Sequence, residues 1–237
     1  MGENETKVQG VVDFVFLIDA TGSMRDCIQD IKNNLGVFLD ELVNNPQSPV
    51  KDWRGKVFGF RDAVVDKNAF VDNAFVSDAE SLKAQLASLE ATGGGDEPES
   101  LLDALYKLAN MGQSDKAAQT PDGGRWRYRS TAARVVIIFT DATFHSEMAI
   151  PEAKGGTLDD VATALQGNRI FLSVFAPDRP CFDKLAEIDK VELNVVCGPE
   201  EDPQAGLKKY TGDKANFQKT MKMLAKSVSK SAVVERL

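Results

Sequence analysis

Three oxygen-bearing side chains stand at every second position near the start of the chain. Asp19, Thr21 and Ser23 directly follow residues 11–18, an apolar run rich in β-branched and aromatic side chains. Such a run is typical of a strand buried on both faces, and a helical pattern begins directly after Ser23. Carboxylate and hydroxyl oxygens in this place suit a small hard cation such as Mg²⁺. They suit equally a turn in which a hydroxyl caps the helix and Asp19 favours its dipole, and these residues alone leave both interpretations open.

Further acidic side chains stand where other predicted elements end. Asp62 and Asp141 each follow a predicted strand, and Asp96 follows three glycines that let the backbone pass close to a neighbouring group. Because right-handed crossovers bring the carboxyl ends of parallel strands to one edge of a sheet, we expect these side chains to converge with Asp19. Carboxylates gathered at one edge repel one another unless a cation or a cationic partner offsets their charge.

Buried strands alternate with helices along the whole chain. Strands are predicted at residues 11–18, 56–61, 69–76, 133–140, 170–175 and 193–196. Helices are predicted from Ser23 to about residue 45, at 78–89, from Pro98 to about 108, at 157–165, around Phe182 and Leu185, and at 216–229. The alternation predicts an α/β fold, a doubly wound and mostly parallel six-stranded sheet with helices on both faces and one short antiparallel edge strand. We expect a single domain over residues 11–230, a flexible N-terminus at 1–10 and a C-terminal tail at 231–237.

The composition limits the classes of partner. The 237 residues include 28 Lys and Arg against 36 Asp and Glu, which gives a formal net charge of −8. This charge repels nucleic acid and anionic membranes, so neither is an expected partner. Residues 1–10 show no signal-peptide pattern, and no apolar run reaches the roughly 18–20 residues that span a bilayer. With three cysteines, an odd number, we expect a cytoplasmic protein with free thiols.

Four sequence blocks occur in order on the predicted strand ends and loops. They are D-A-T-G-S-M at 19–24, G-F-R-D-A at 59–63, G-G-G-D-E-P-E-S at 93–100 and F-T-D-A at 139–142. Together they resemble the von Willebrand factor A superfamily over nearly the whole chain, most of all its intracellular, bacterial-type branches. The resemblance implies a Rossmann-like fold with a metal-ion-dependent adhesion site. It also implies Mg²⁺ as the ion, with Mn²⁺ or Ca²⁺ as alternatives, and a partner protein that can offer an acidic side chain to it.

The resemblance, carried over residue by residue, implies a set of metal ligands. Thr21 and Ser23 would bind the ion directly, and Asp19 and Asp141 would hold it directly or through water. These residues stand on the first and fourth of the four blocks, so the implied site joins two strands of the sheet.

The third block departs from the adhesive pattern, in which a threonine completes the ligand set. Asp96 stands at that position here, and Thr92 is the alternative. An added carboxylate lowers the positive charge left on the ion, so an acidic group of a partner would gain less by coordinating it. The alternatives are then an ion with a structural role or a site that prefers a neutral ligand. Gly22, Asp62, Thr92 and His145 are predicted to lie near the site. His145 is either a donor to a ligand, a partner contact or a surface residue, and Asp62 is expected in a salt bridge with Arg61 more than as a ligand.

Two classes of function remain open. The first is a Mg²⁺-dependent protein-interaction module in a multi-component bacterial system. The second is a metal-dependent hydrolase or phosphoryl-transfer enzyme that uses the same carboxylates. No G-x-x-x-x-G-K-[ST] or G-x-S-x-G motif occurs, and the one histidine has no evident nucleophile beside it, which favours the module. The basic and aromatic run at residues 125–129 is predicted to be a loop that docks a partner protein or makes a crystal contact, rather than a platform for single-stranded nucleic acid.

Overall fold

The computed structural model describes residues 10–232, which form a six-stranded sheet with helices packed on both faces. The predicted flexible ends at 1–10 and 231–237 lie outside the described residues, apart from Gly10, Ser231 and Ala232. Within the described part of the chain, no helix is both long enough and apolar enough to cross a bilayer.

The sheet confirms the predicted doubly wound architecture. Its strands are β1 (Val11–Asp19), β2 (Asp52–Phe60), β3 (Phe70–Asp72), β4 (Ala133–Phe139), β5 (Ile170–Ala176) and β6 (Val191–Val195). They lie in the order β3-β2-β1-β4-β5-β6, with β3 antiparallel to β2 and the other neighbours parallel. The chain leaves β1 toward β2 on one side and continues the sheet through β4 on the other. The carboxyl ends of β1 and β4 therefore form a topological switch point, where open α/β sheets bind their ligands.

The helices cover both faces and explain why the first strand has no polar side. They are α1 (Arg25–Leu39), α2 (Ala79–Ser88), α3 (Leu101–Asn110), α4 (Leu158–Gly167), α5 (Pro180–Ala186), α6 (Pro203–Gly212) and α7 (Lys214–Ser231), with a 3₁₀ turn (Gly22–Met24) before α1 and a π-helical turn (Asp40–Asn44) after it. Phe14 and Phe16 pack into a core with α1, α2, α6 and α7, whereas Val15 and Leu17 pack into a second core with α3, α4 and α5. Successive residues of a strand point to opposite faces, so a strand between two cores is apolar throughout.

The second strand begins earlier than predicted, because its first residues include buried charged side chains that the hydrophobic pattern did not assign to a strand. β2 starts at Asp52 rather than at residue 56, and its Arg54 and Lys56 are both buried. Arg54 forms an ion pair of 2.6 Å with buried Asp13, and Lys56 forms an ion pair with Asp72. Paired in this way, charged side chains occupy strand positions that the hydrophobic pattern alone does not assign to a strand.

Two helices also differ from the prediction, and both border the candidate site. α3 begins at Leu101, so Pro98 precedes the helix and is not in its first turn as predicted. α6 has no counterpart among the predicted helices. Its N-cap is Asp202, whose side chain accepts a hydrogen bond of 2.7 Å from the backbone N–H of Ala205.

The basic and aromatic run at residues 125–129 is anchored in the fold, so its predicted role as a docking loop is wrong for its central residues. Trp126 is fully buried, and its ring N–H donates to the carbonyl of Leu108 over 2.8 Å. The side chain of Arg127 pairs with buried Asp13 over 3.2 Å. These contacts tie the long loop before β4 to the amino-terminal edge of the sheet, opposite to the carboxyl ends of the strands.

Trp126→Ala should lower the free energy of unfolding by about 3–5 kcal/mol, because it removes a large ring from a closed core. Chemical denaturation measures this loss. Arg125→Ala is the matched control, because that side chain is exposed and pairs only with exposed Asp122, and it should change stability by less than about 0.5 kcal/mol. Equal, small effects of the two substitutions would show that the loop is a surface element after all.

Candidate metal centre

Four side chains at the carboxyl ends of β1 and β4 form one row of oxygen contacts. The Thr21 hydroxyl donates to Oδ1 of Asp19 over 2.7 Å and lies 3.1 Å from the hydroxyl oxygen of Ser23. The Ser23 hydroxyl donates to Oδ1 of Asp141 over 3.0 Å. The structure therefore brings together four of the residues that were predicted as metal ligands, two carboxylates joined by two hydroxyls.

Asp19 is buried behind the two hydroxyl groups. Its Oδ1 also accepts the backbone N–H of Thr21 over 3.0 Å, and its Oδ2 accepts the hydroxyl of Thr140 over 2.8 Å. Burial raises the pKa of Asp19, and the hydrogen bonds from Thr21 and Thr140 offset only part of this effect. Asp19 thus orients the Thr21 hydroxyl and supplies negative charge from behind it. Thr140 was not among the predicted site residues, although its position directly before Asp141 at the end of β4 is a signal for such a contact.

Asp141 is the carboxylate at the other end of this row of oxygen contacts. It is almost fully buried, and burial, followed by the charge of Asp19, raises its pKa to about 7. The hydroxyl of Ser23 partly compensates by donating to it. A positive ion at this point would stabilise the ionised form of Asp141 near neutral pH.

A cleft of about 370 Å³ opens above these side chains. It is lined by residues of four segments, which are Thr21, Gly22, Ser23, Gly93, Gly95, Asp96, Glu97, Glu99, Asp141, Ala142, Asp202, Pro203 and Gln204. Five of these side chains are carboxylates, and none of the described lining residues is Lys, Arg or His. We call this feature the acidic cleft, and its charge makes it suitable for a cation.

The glycine loop, residues 91–100, is held against the end of β1 by its backbone. The backbone N–H of Thr92 donates to the carbonyl of Ala20 over 2.9 Å, and the N–H of Gly22 donates to the carbonyl of Gly93 over 3.3 Å. Gly22 lines the acidic cleft, whereas Thr92 is exposed and is not one of its lining residues. Of the two residues considered for the third-loop ligand, only Asp96 therefore lies in the cleft, and its side chain is exposed there.

The backbone conformation and the close contacts of Gly94 require a glycine at this position. Its φ of +98° lies in the left-handed region, and a Cβ atom at this position would stand 2.5 Å from Cγ2 of Thr21 and 2.6 Å from Oε1 of Glu99. Its backbone N–H donates to Asp66 over 2.8 Å, which joins the glycine loop to the segment after β2. The glycine thus allows the loop to pack directly on the side chains of the site.

Asp62 and His145 form a separate pair beside the cleft. Nε2 of His145 lies 2.9 Å from Oδ1 of Asp62, which also accepts the backbone N–H of Val64 over 2.9 Å and the hydroxyl of Ser100 over 3.2 Å. Neither Asp62 nor His145 is among the lining residues. The pair connects the segment after β2 with the segment after β4. These two residues, which were predicted to lie near the ion, therefore stabilise the loops beside the cleft.

The expected salt bridge between Arg61 and Asp62 is replaced by contacts to the backbone. The guanidinium of Arg61 is buried and donates to the carbonyls of Ala20, Asn68 and Glu90 over 2.9–3.1 Å. Arg61 therefore fastens the end of β2 to the end of β1 and to the start of the glycine loop.

Comparison with known proteins gives one match to a family model. Residues 13–116 match the family model of the von Willebrand factor A domain. The match supports a von Willebrand factor A domain. It spans less than half of the chain and includes the turn after β1 and the glycine loop, but not Asp141. Domains of this family are in general protein-interaction modules rather than enzymes. No curated protein sequence matches the chain.

Solved structures resemble the chain in fold. Two structures of proximal thread matrix protein 1 from the mussel byssus superpose with TM-scores of 0.55 and 0.51, at 14% and 13% identity, covering 93% and 90% of this chain and 47% of the mussel chain. The open conformation of the pilus adhesin SpaC from Lactobacillus rhamnosus GG gives a TM-score of 0.49 at 13% identity, covering 92% of this chain and 30% of that chain. The chain thus spans less than half the length of these proteins, and at this identity the likeness of the mussel protein concerns the fold alone.

Several side chains of the acidic cleft are absent from the sequence prediction. Asp202 and Gln204 line the cleft from the start of α6, and the side-chain amide of Gln204 donates to the carbonyl of Ser23 over 3.2 Å. An aspartate followed by proline is a common helix start, so Asp202-Pro203 was the signal that could have revealed this helix. Glu99, which is buried in the cleft wall, carried no such signal, because burial of a carboxylate depends on tertiary packing.

The donor set fits a hard cation only if the hydroxyl groups take part. Among residues 10–232, no three His, Cys, Asp or Glu side chains gather closely enough to hold a metal ion by themselves. The hydroxyls of Thr21 and Ser23 lie between the carboxylates of Asp19 and Asp141 and complete a set of oxygen donors. Mg²⁺ accepts such a set, because it binds one or two carboxylates and keeps several of its waters.

Proposed function

We propose that the domain is a Mg²⁺-dependent protein-interaction module of a cytoplasmic, bacterial-type system. Its metal-ion-dependent adhesion site lies in the acidic cleft. The observation that carries this proposal is the row of oxygen contacts through Asp19, Thr21, Ser23 and Asp141 beneath a cleft without cationic side chains. The free thiols of all three cysteines are typical of a reducing compartment and support the cytoplasmic part of the proposal.

The ion would be held by oxygen atoms from three segments. Thr21 and Ser23 provide hydroxyls, Asp141 provides a carboxylate, and Asp19 acts through Thr21 or through a water molecule. The glycine loop adds a further oxygen, from Asp96 in the assignment that the resemblance implies. Mn²⁺ would be accepted by the same oxygens, and Ca²⁺ is the larger alternative. When bound, the ion offers an open coordination position to an oxygen atom of the partner.

The charge of the acidic cleft bears on the chemistry of the partner. The carboxylates that line it are Asp96, Glu97, Glu99, Asp141 and Asp202, and Asp19 lies directly behind them. Together they exceed the charge of one divalent ion, so an acidic side chain that approaches the ion would be repelled by those left over. We therefore propose a partner that offers a neutral oxygen to the ion and basic side chains to the surrounding carboxylates, in place of the acidic group implied by the resemblance.

Two exposed valines provide an apolar contact beside the cleft. Val64 and Val65 are 62% and 64% exposed, and Val65 lies against Gly95 of the glycine loop. Their segment is held in place, because the N–H groups of Val64 and Asp66 both donate to Asp62. Exposed apolar side chains on a fixed loop next to a charged cleft are typical of a protein contact surface.

The hydrolase or phosphoryl-transfer alternative is not favoured by any observation at the site. The one histidine, His145, hydrogen-bonds Asp62 and does not line the cleft. The family match is to interaction modules in general, which gives the enzyme no further support.

Metal-dependent retention of a partner tests the proposal. The immobilised protein should retain at least one protein from a lysate of its source in Mg²⁺ and release it in EDTA, and Asp141→Asn should retain none in either condition. Retention that is identical with Mg²⁺, with EDTA and with the variant would contradict a metal-dependent module.

The valine pair should contribute to partner binding without affecting the ion. Val64→Ser combined with Val65→Ser removes two apolar contacts and should weaken binding of the retained partner about 10-fold or more. Affinity for Mg²⁺ and the melting temperature should be unchanged. Met223→Ser is the matched control, because Met223 is similarly exposed at 61% but lies on α7, away from the cleft. If the double variant and the control bound the partner with equal affinity, the two valines would not be part of the contact surface.

A further inference from the structure

We propose that Glu99, rather than Asp96, is the residue of the glycine loop that holds the ion, an inference that rests on the proposed metal site. Both side chains line the acidic cleft. They differ in burial and in the way the fold positions them, and these differences favour Glu99.

An unpartnered oxygen is the first of these differences. Glu99 is only 4% exposed, and its Oε2 is buried without a hydrogen-bond partner among the described residues. Leaving a carboxylate oxygen buried and unpaired is costly, so this carboxyl group needs either a proton or a cation beside it. Asp96, by contrast, is exposed to solvent and has no comparable need of a ligand.

The second difference is that the backbone of Glu99 is fixed to the segment that carries Asp141. The N–H of Glu99 donates to the carbonyl of Thr143 over 2.9 Å, and the N–H of His145 donates to the carbonyl of Glu99 over 3.1 Å. This is a short parallel bridge between the glycine loop and the segment after β4. A ligand held on both sides by backbone hydrogen bonds loses little freedom when it binds an ion.

The proximity of the carboxylate to Thr21 is the third difference. Oε1 of Glu99 and Cγ2 of Thr21 both lie at Gly94, within 2.6 Å and 2.5 Å of the point where a Cβ would stand. The hydroxyl of Thr21 is one of the proposed ligands. Glu99 thus stands beside a proposed ligand, and the glycine allows this approach.

The surrounding charges require a cation rather than an anion at this point. The charges that act most strongly on Glu99 are the carboxylates of Asp19, Asp62, Asp66 and Asp141. Since Asp19, Asp141 and Glu99 do not gather into a cluster that could hold a metal ion by itself, the three do not all bind the ion directly. Glu99 binds either directly or through one of the waters that Mg²⁺ retains.

Titration calorimetry with Mg²⁺, on wild type, Glu99→Gln and Asp96→Asn, tests this assignment. The two substitutions are matched, because each removes one negative charge and keeps the shape of the side chain. We expect Glu99→Gln to weaken Mg²⁺ binding about 10-fold or more, and Asp96→Asn to weaken it less than about 3-fold, the effect of a distant charge. Electron paramagnetic resonance of Mn²⁺ provides a second readout of the same difference.

Two controls separate the loss of a metal ligand from a loss of stability. Without metal, Glu99→Gln should melt at the same temperature as wild type or higher, since the amide keeps the shape of the side chain and needs no compensating charge. Glu99→Asp, which keeps the charge and shortens the side chain, should also weaken Mg²⁺ binding. A larger effect of Asp96→Asn, or an equal effect of the two isosteric variants, would overturn the assignment of Glu99. Failure of the wild-type protein to bind Mg²⁺ or Mn²⁺ would instead refute the proposed metal site itself.

Discussion

Asp141→Asn should lower the affinity for Mg²⁺ about 100-fold or more. Loss of a residue that only supports a metal ligand typically costs 10–100-fold, and Asp141 is proposed as a ligand in its own right. The amide keeps the size of the side chain, so Ser23 can still donate to its oxygen, while the negative charge that compensates the ion is gone. Titration calorimetry with Mg²⁺ measures the change.

Asp178→Asn is the control for this substitution. Asp178 follows β5 at the same edge of the sheet and does not line the acidic cleft, so its substitution gives the same change in net charge without touching the proposed ligands. Its effect on Mg²⁺ affinity should be less than about 2-fold, because a half-buried charge that does not contact the ion acts only at a distance and is partly screened by salt. If Asp141→Asn and Asp178→Asn weakened binding equally, the site would be a diffuse negative surface and not a coordinating centre.

The metal-free domain should be less stable at about pH 8 than at about pH 5. In the folded state the pKa of Asp141 is raised to about 7 from 3.8, and that of Glu99 to about 9 from 4.5, mainly by burial. Between the ordinary and the raised pKa the folded state holds protons that the unfolded state has released, so stability falls as the pH rises through this range. For a domain of this size, each kcal/mol lost lowers the melting temperature by roughly 2–4 °C.

Melting curves in EDTA across this pH range measure the effect, and Mg²⁺ should reverse it. The ion replaces the protons as the compensating charge, so its stabilising effect should grow as the pH rises. In Asp141→Asn the decline between about pH 4 and pH 7 should be smaller, since one of the groups with a raised pKa no longer titrates. A melting temperature in EDTA that stays level or rises between pH 5 and pH 8 would show that burial does not raise the pKa values of these carboxyl groups.

The sequence predicted the parts of the fold that repeat a simple pattern. β1, β4 and β5 are nearly uniform apolar runs, because each is a central parallel strand between two layers of helices. The convergence of Asp19 with Asp141 followed from topology alone, since parallel strands that are neighbours end at the same edge. The strand β2 was predicted too short because the burial of Arg54 and Lys56 depends on their partners Asp13 and Asp72, which a local pattern cannot supply.

The same limit explains what the prediction missed at the site. Asp96 and Glu99 stand three positions apart in one loop and have similar chemistry, and only the packing of Gly94 against Thr21 shows which of them is buried. Trp126 looked like a docking residue because it lies among arginines, yet its ring is held in the core by distant segments. Helix α6 was the one element with an overlooked local signal, the aspartate and proline at its start.

Titration calorimetry of Mg²⁺ into wild-type protein stripped of metal with EDTA tests the central claim most directly. The proposed site predicts saturable binding of one ion per chain, with release of protons near neutral pH and a rise in melting temperature that follows the occupancy of the site. Mn²⁺ should compete for the same site. No binding heat and no shift in melting temperature with millimolar Mg²⁺ or Mn²⁺ would contradict it, and the hydroxyls of Thr21 and Ser23 would then only hold the carboxylates of Asp19 and Asp141 in place.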